Sequence, residues 1–358
     1  MNRVILSPAK YVQGPHVLNE LASLVMHLGT RALVIIDKTI SEKVSIDFSD
    51  SVFKKIELFS GECCYEEIER LGLLVKEKSI DVVISVGGGK VIDSAKAIGH
   101  LQNIAVVVCP TAASSDAPTS ALSVVYQPSG EFLEYFPLRK NPDLVVVDSE
   151  VIAKAPTRLL VAGIGDALAT YFEARVNYEN QCITMAGGIP SLSAFTLAKL
   201  AYETLLEYGL DAKRSVDNNE VTLALENIIE ANTYLSGIGF ESSGLAAAHA
   251  IHNGFSQLNE CHHLLHGEKV AFGTIVQLVL EKSDINELKA MIKFCRELGL
   301  PTTLKEMGIS KVELAQLKAV ANAACEPGET IHNMPFNIKP SDLVQAIITA
   351  NEISSKSL

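Results

Sequence analysis

The sequence predicts an α/β domain built on a parallel sheet, residues 1–155, followed by an all-α domain, residues 156–358. Three observations predict it. Short β-branched runs alternate with helix-like stretches up to Asp148, and after Asp148 the strand signal disappears. A chain of 358 residues also exceeds what a single hydrophobic core organises.

The strand runs are 32–37 (ALVIID), 55–59, 81–86 (DVVISV), 104–109 (IAVVVC) and 144–148 (LVVVD). Continuous apolar runs separated by helical stretches specify a parallel sheet covered on both faces. Residues 121–126 and 131–136 flank Gln127-Pro128-Ser129-Gly130, turn chemistry that reads as a hairpin inserted into this domain. Beyond Asp148, the segments 157–176, 193–208, 220–235, 245–257, 269–281 and 285–298 have the period or length of helices. Pro156 suits the first turn of the opening helix, where its missing N–H costs nothing, and this sets the boundary near residue 155. The two domains are expected to meet in a cleft holding the active site, the usual setting for small ligands.

With 48% hydrophobic and 20% charged residues, the chain reads as a packed soluble protein rather than a disordered one. Tryptophan is absent, so the packing must be mostly aliphatic. Thirty Lys and Arg against 42 Asp and Glu give a net charge of −12, which repels phosphate backbones and anionic membranes and argues against nucleic acid as a partner. No apolar run approaches the roughly 20 residues of a membrane span, and residues 1–8 are too broken for a signal peptide. Seven cysteines without a CxxC spacing suit reduced thiols, so a cytoplasmic location without disulfides is expected.

Chemistry first shows in 81–99, DVVISVGGGKVIDSAKAIG: a buried strand, three glycines and a helix. Residues without side chains let the N–H groups of Gly87, Gly88 and Gly89 approach a pyrophosphate at the positive end of that helix. This is not the G-x-G-x-x-G fingerprint, and tight glycine turns also join strands to helices without any ligand. Asp37, at the end of the run 32–37, puts a carboxylate where it can accept ribose hydroxyls and repel a 2′-phosphate, favouring NAD over NADP. Its alternative is a solvated or capping aspartate. The segment 110–120, PTAASSDAPTS, is dense in small hydroxyl residues that can line a nucleotide groove or form a plain polar loop.

A second signal lies in 244–267, GLAAAHAIHNGFSQLNECHHLLHG, which holds His249, His252, His262, His263 and His266. Two imidazoles and one carboxylate are a recurrent catalytic zinc set that leaves coordination positions open. Asp166, in GIGDALATYFEA, is an acid on an otherwise small and apolar helix, and burial there needs a partner. His249 follows a run of alanines that permits close approach, and His266 precedes Gly267 at a turn. Spacing alone does not choose two ligands from five histidines. For His252, His262 and His263 the reading as surface or supporting groups is favoured over that as ligands.

Together with APTRLLVAGIGDALATYFEAR, IEANTYLSGIGFESSGLAAAHAIHNG, HHLLHGEKVAFGTIVQLVLE and GETIHNMP, these segments resemble the glycerol dehydrogenases over essentially the whole chain. Those are a branch of the iron-containing alcohol dehydrogenase and dehydroquinate-synthase-like superfamily. The resemblance implies an N-terminal dinucleotide-binding domain, a helical metal-binding domain and homo-oligomers, octamers among them. It implies zinc on Asp166, His249 and His266. NAD would contact Asp37, Gly88, Gly89, Lys90, Val91, Ile92, Asp93, Thr111, Ser114, Ser120, Leu122 and Tyr126. Asp116 and His249 would lie beside the substrate as catalytic residues. Iron-type relatives carry a further histidine four residues after the aspartate; here that position is Thr170, which points to the three-ligand zinc type. The stretch 41–58 is shorter than in that family.

The implied reaction is zinc- and NAD-dependent oxidation of glycerol, or a related vicinal diol, to dihydroxyacetone with loss of hydride from C2. A phosphorylated polyol is the alternative on the same fold, but it calls for cationic residues, and 110–126 contains no Lys or Arg. A nonenzymatic NAD sensor with structural zinc would need a fourth protein ligand.

Overall fold

The computed structural model describes residues 1–44, 46 and 52–356. The stretch 41–58 therefore lies partly outside the described residues. Among the described residues eight strands are formed: β1 (Tyr11–Gly14), β2 (Arg31–Ile36), β3 (Phe53–Leu58), β4 (Val82–Gly87), β5 (Ala105–Pro110), β6 (Leu122–Tyr126), β7 (Phe132–Pro137) and β8 (Leu144–Asp148). Six make one sheet in the order β1-β8-β5-β4-β2-β3, every pair parallel. The expected α/β domain with a parallel sheet is borne out, and after β8 the described elements are helices.

The centre of the sheet is legible from composition. All six residues of β4 are buried, and so are five of six in β2 and all five of β8. Edge strand β3 alternates between exposed and half-buried positions instead. From β2 the chain passes outward to β3, and then returns to the other side of β2 as β4 and continues to β5. The order thus reverses between β2 and β4, and the carboxyl ends of such a strand pair border the crevice where open α/β sheets take their ligands. Asp37 follows β2 and Gly88 follows β4, held level by the Asp37 N–H, which donates to the Val86 carbonyl at 3.0 Å.

β6 and β7 pair antiparallel as the hairpin read from the sequence, with a bulge at Val125/Tyr126. The hairpin is tied to the Gly89–Gln102 helix by Asp93: its carboxylate accepts the Val124 N–H at 3.1 Å and its carbonyl accepts the Ser123 hydroxyl at 2.9 Å. The Lys96 ammonium, 2% exposed, sits 2.9 Å from the same carboxylate and donates to the carbonyls of Ala117 and Leu122.

The chain divides into two units. One comprises Leu6–Pro156 and Arg214–Gly237; the other comprises Met1–Ile5, Thr157–Lys213 and Ile238–Leu358. The segment Arg214–Gly237 is bound into the sheet-bearing unit by specific contacts. Thr233 bonds Tyr11 of β1 at 2.8 Å and accepts Thr119 through its carbonyl at 2.9 Å, and Asn232 donates to the Ala113 carbonyl at 2.9 Å. Both residues lie in a π-helical turn, Ala231–Leu235, inside the helical stretch expected at 220–235. The wider turn rotates them toward the 110–120 loop.

In the helical unit, Thr157–Asn180 is buried along most of its length, which is why it lacks an amphipathic stripe. The helices Ala247–Phe255 and His266–Glu281 pack on it and on each other. Close approach depends on glycines. A Cβ at Gly267 would stand 1.8 Å from the Ala162 carbonyl oxygen, one at Gly165 would stand 2.5 Å from the Gly267 oxygen, and one at Gly273 would stand 2.5 Å from the Ala248 oxygen.

Candidate metal centre and nucleotide turn

These glycine crossings bring three side chains together. Asp166, on Thr157–Asn180, is 1% exposed, and its Oδ1 lies 3.1 Å from His266 Nε2 and 3.4 Å from His249 Nε2. One ligand atom from each of Asp166, His249 and His266 falls within 4.8 Å of the others. Asp166 Oδ2 is buried with no hydrogen-bond partner. A buried carboxylate oxygen left bare costs about 1–3 kcal/mol or more unless something binds it, and a cation among these three donors is what would satisfy it.

The far side of each imidazole is also committed. His249 Nδ1 is 2.6 Å from Glu173 Oε2, and the other oxygen of Glu173 accepts the backbone N–H groups of Ala246 at 2.8 Å and His249 at 3.0 Å. Glu173 stands seven residues, about two helical turns, after Asp166 on the same face of one helix. His266 Nδ1 is 3.0 Å from His252 Nε2, and His252 Nδ1 is 3.0 Å from Asn253 Oδ1, while the Asn253 amide donates to Glu329 at 3.0 Å. That donation orients the amide, so Asn253 Oδ1 accepts His252 Nδ1–H, and His252 Nε2 in turn accepts His266 Nδ1–H. When the rings are neutral, Nδ1 carries the hydrogen in both His249 and His266, and each Nε2 then presents a lone pair to the cluster.

Charge follows the same geometry. Burial opposes ionisation of His249, but the Glu173 carboxylate, and after it Asp166, outweigh burial and raise its pKa well above the ordinary value. Burial would likewise raise Asp166; the neighbouring His266 and His249 instead hold its carboxyl far below the usual range. His252 is held neutral by burial and by the nearby His266. Thr170, one turn after Asp166, is fully buried against Gly239, where an added Cβ would lie 2.7 Å from its methyl. His262 and His263 are exposed.

In the sheet-bearing unit, Gly88 caps the Gly89–Gln102 helix without any side-chain cap, and a Cβ at Gly88 or Gly89 would meet nothing within 4 Å. The first turn is thus open to an anion at the positive end of a fourteen-residue helix. A Cβ on Gly87 would approach that of Asp37 to 3.2 Å, so the glycine turn and the acid are neighbours. One oxygen of Asp37 accepts from the backbone and hydroxyl of Thr39 at 2.8 and 2.7 Å. The Thr111 N–H donates to the Gly87 carbonyl at 3.1 Å, which carries the 110–120 loop beside the turn.

Of the remaining residues, Lys90 pairs with Glu62 and lies 5.1 Å from the centre of the Tyr126 ring. Val91 and Ile92 are buried in the helix, and Ser114 is half-buried. Asp93 is occupied by Val124 and Lys96, while Ser120 and Leu122 turn their carbonyls to Lys96. Asp116 accepts the Ser236 hydroxyl at 2.9 Å within its own unit. Sequence reasoning missed Glu173 and Glu329. The spacing of seven between Asp166 and Glu173 on an apolar helix was the available signal for the first; nothing local marks the second.

A parallel sheet with an open glycine turn at its switch point, and a carboxylate with two bare imidazole nitrogens in a helical unit, define a metal-dependent dehydrogenase class. Residues 8–149 match the model of the iron-containing alcohol dehydrogenase family. Glycerol dehydrogenase of Citrobacter freundii is 52% identical over 356 residues, 98% of each chain. The crystal structure of a probable glycerol dehydrogenase from Sinorhizobium meliloti 1021 superposes with a TM-score of 0.93 at 43% identity, over 99% of this chain and 100% of that one. That of glycerol dehydrogenase from Schizosaccharomyces pombe gives 0.95 at 39%, over 99% and 92%. The chain belongs to the glycerol dehydrogenase family of iron-containing alcohol dehydrogenases and is an oxidoreductase.

Proposed function

We propose that this chain oxidises glycerol and related vicinal diols, glycerol yielding dihydroxyacetone by loss of hydride from C2, with NAD and zinc as cofactors. The observation that carries the reading is the convergence of Asp166, His249 and His266 around a buried, unsatisfied carboxylate oxygen. These three residues would hold the zinc. When bound, zinc supplies Lewis acidity that lowers the pKa of the alcohol, and NAD supplies the hydride acceptor. Thr170, where iron-type relatives carry a histidine, supports zinc with three protein ligands. The Gly88–Gly89 turn supports pyrophosphate binding through backbone N–H groups, extending over the first turn through Lys90, Val91, Ile92 and Asp93. Thr111, Ser114, Ser120, Leu122 and Tyr126 would line the rest of the nucleotide groove, and the second Asp37 oxygen would accept the ribose. By the family resemblance, Asp116 would hydrogen-bond a substrate hydroxyl, His249 would lie close to it, and the enzyme would be a homo-oligomer, octamers included. The odd count of unpaired-spacing cysteines supports a cytoplasmic enzyme.

The test is a comparison of kcat/KM for glycerol, 1,2-propanediol and 1-propanol, followed as NADH formation. A site built for two hydroxyls leaves buried polar groups unpaired when one hydroxyl is missing, which costs about 1–3 kcal/mol and so roughly ten- to a hundredfold. The diols should lead 1-propanol by at least that factor. Equal values for 1,2-propanediol and 1-propanol would rule the reading out.

A further inference from the structure

Glu173 is completely buried and ionisable, in the interior of a helix, yet each of its oxygens is committed within a few residues of His249. Oε1 takes the N–H of Ala246 and that of His249, which fixes where the Ala247–Phe255 helix begins. Oε2 takes the Nδ1 side of the His249 ring at 2.6 Å. Asn177, one turn further, donates to the Leu245 carbonyl at 2.9 Å and pins the same entry from the other side. The backbone and the ring of His249 are therefore referenced to a single carboxylate on the helix that also carries Asp166.

We propose that Glu173 is a positioning residue for the metal centre: by accepting Nδ1–H it holds His249 in the tautomer and rotation that present a bare Nε2 lone pair beside Asp166. This rests on the reading of Asp166, His249 and His266 as ligands. The chemistry is directional. A carboxylate can only accept from Nδ1, so Nε2 stays free of hydrogen when the ring is neutral. A charged acceptor also makes the ring a stronger donor to a cation than a neutral one does. The other ligand, His266, leans on the neutral His252, so Glu173 is the only anion in direct contact with the outer side of either imidazole among the described residues.

Glu173→Gln separates this role from mere packing. The amide keeps the size of the side chain, and its oxygen can still accept the Ala246 and His249 N–H groups. Its NH2 then faces Nδ1 and favours the opposite tautomer, with hydrogen on Nε2. Glu173→Asp keeps the charge with a shorter reach. The measurement is the zinc dissociation constant of the full-length protein, read by competition with a chromophoric chelator, alongside the thermal midpoint of the metal-free form. Glu173→Gln should weaken zinc ten- to a hundredfold with a midpoint near that of wild type, and Glu173→Asp should fall between the two. Zinc affinity unchanged in Glu173→Gln, or lost only in step with thermal stability in both variants, would overturn the inference. Asp166→Ala distinguishes the layers. If it loses zinc while Glu173→Gln does not, only the positioning role fails; if the wild type holds no zinc, the ligand reading fails and this inference falls with it.

Discussion

Two side chains carry the electrostatics of the helical unit in opposite senses. Glu173 and Asp166 raise the pKa of His249 against the effect of burial, which favours the charged ring in the metal-free protein. On the proposed reading, zinc would have to displace the proton. Zinc affinity should therefore rise about tenfold per pH unit below the raised pKa and level off above it, as chelator competition at several pH values would show; a pH-independent affinity from 6 to 8 contradicts it. The stability of the metal-free fold should move the other way. A raised histidine pKa contributes stability that is fully present below the unfolded value of about 6.5 and is lost as pH rises through the folded value. Asp166, held low, contributes above the unfolded carboxyl value of about 3.9, and its share is lost in acid. In the other unit, one oxygen of Asp37 braces Thr39, and on the proposed reading the second would accept a ribose hydroxyl. Asp37→Ser should narrow the preference for NAD over NADP, measured as a ratio of kcat/KM values; a wild type that uses both equally would refute the role. Asp166 was visible in the sequence because an acid on an apolar helix needs a reason. Glu173 lies on the same apolar helix, but its role is not legible there, since its partners are backbone groups and the His249 ring about 75 residues away in the chain.

At the scale of elements, glycines do opposite work at two places. Gly267 lets His266–Glu281 touch Thr157–Asn180, backbone against backbone, where a methyl would sit 1.8 Å from a carbonyl oxygen. Gly267→Ala should cost about 1–3 kcal/mol or more by overpacking, lower the thermal midpoint and spread Asp166 from His266, weakening zinc. Gly88→Ala has open space and an ordinary backbone angle, so it should keep the midpoint and instead raise the KM for NAD by occupying the phosphate approach. Exchange of these two outcomes would show the roles misassigned. The sheet was largely legible because its inner strands are buried on both faces. β1 was not: four half-buried residues, YVQG, give neither an apolar run nor an alternation, and only pairing with β8 makes them a strand. The π-helical turn was hidden for a different reason. Its residues have ordinary helical spacing, and the widening answers contacts to Tyr11, Ala113 and Thr119 from distant parts of the chain.

For the whole molecule, the segregation is chemical as well as structural. The sheet-bearing unit carries an acid and an open helix terminus at its strand switch point, and the helical unit carries three convergent side chains that could hold a metal ion. No described helix is long and apolar enough to cross a membrane. The family is fixed by identity along the full chain, whereas the zinc chemistry rests on three side chains and one unsatisfied oxygen. The most direct test is reconstitution: the metal-stripped protein is titrated with zinc while NADH formation from glycerol is recorded. Activity should return in proportion to added zinc, reach its plateau near one equivalent per chain and fail to return in Asp166→Ala. Full activity in a metal-free Asp166→Ala protein would contradict the account.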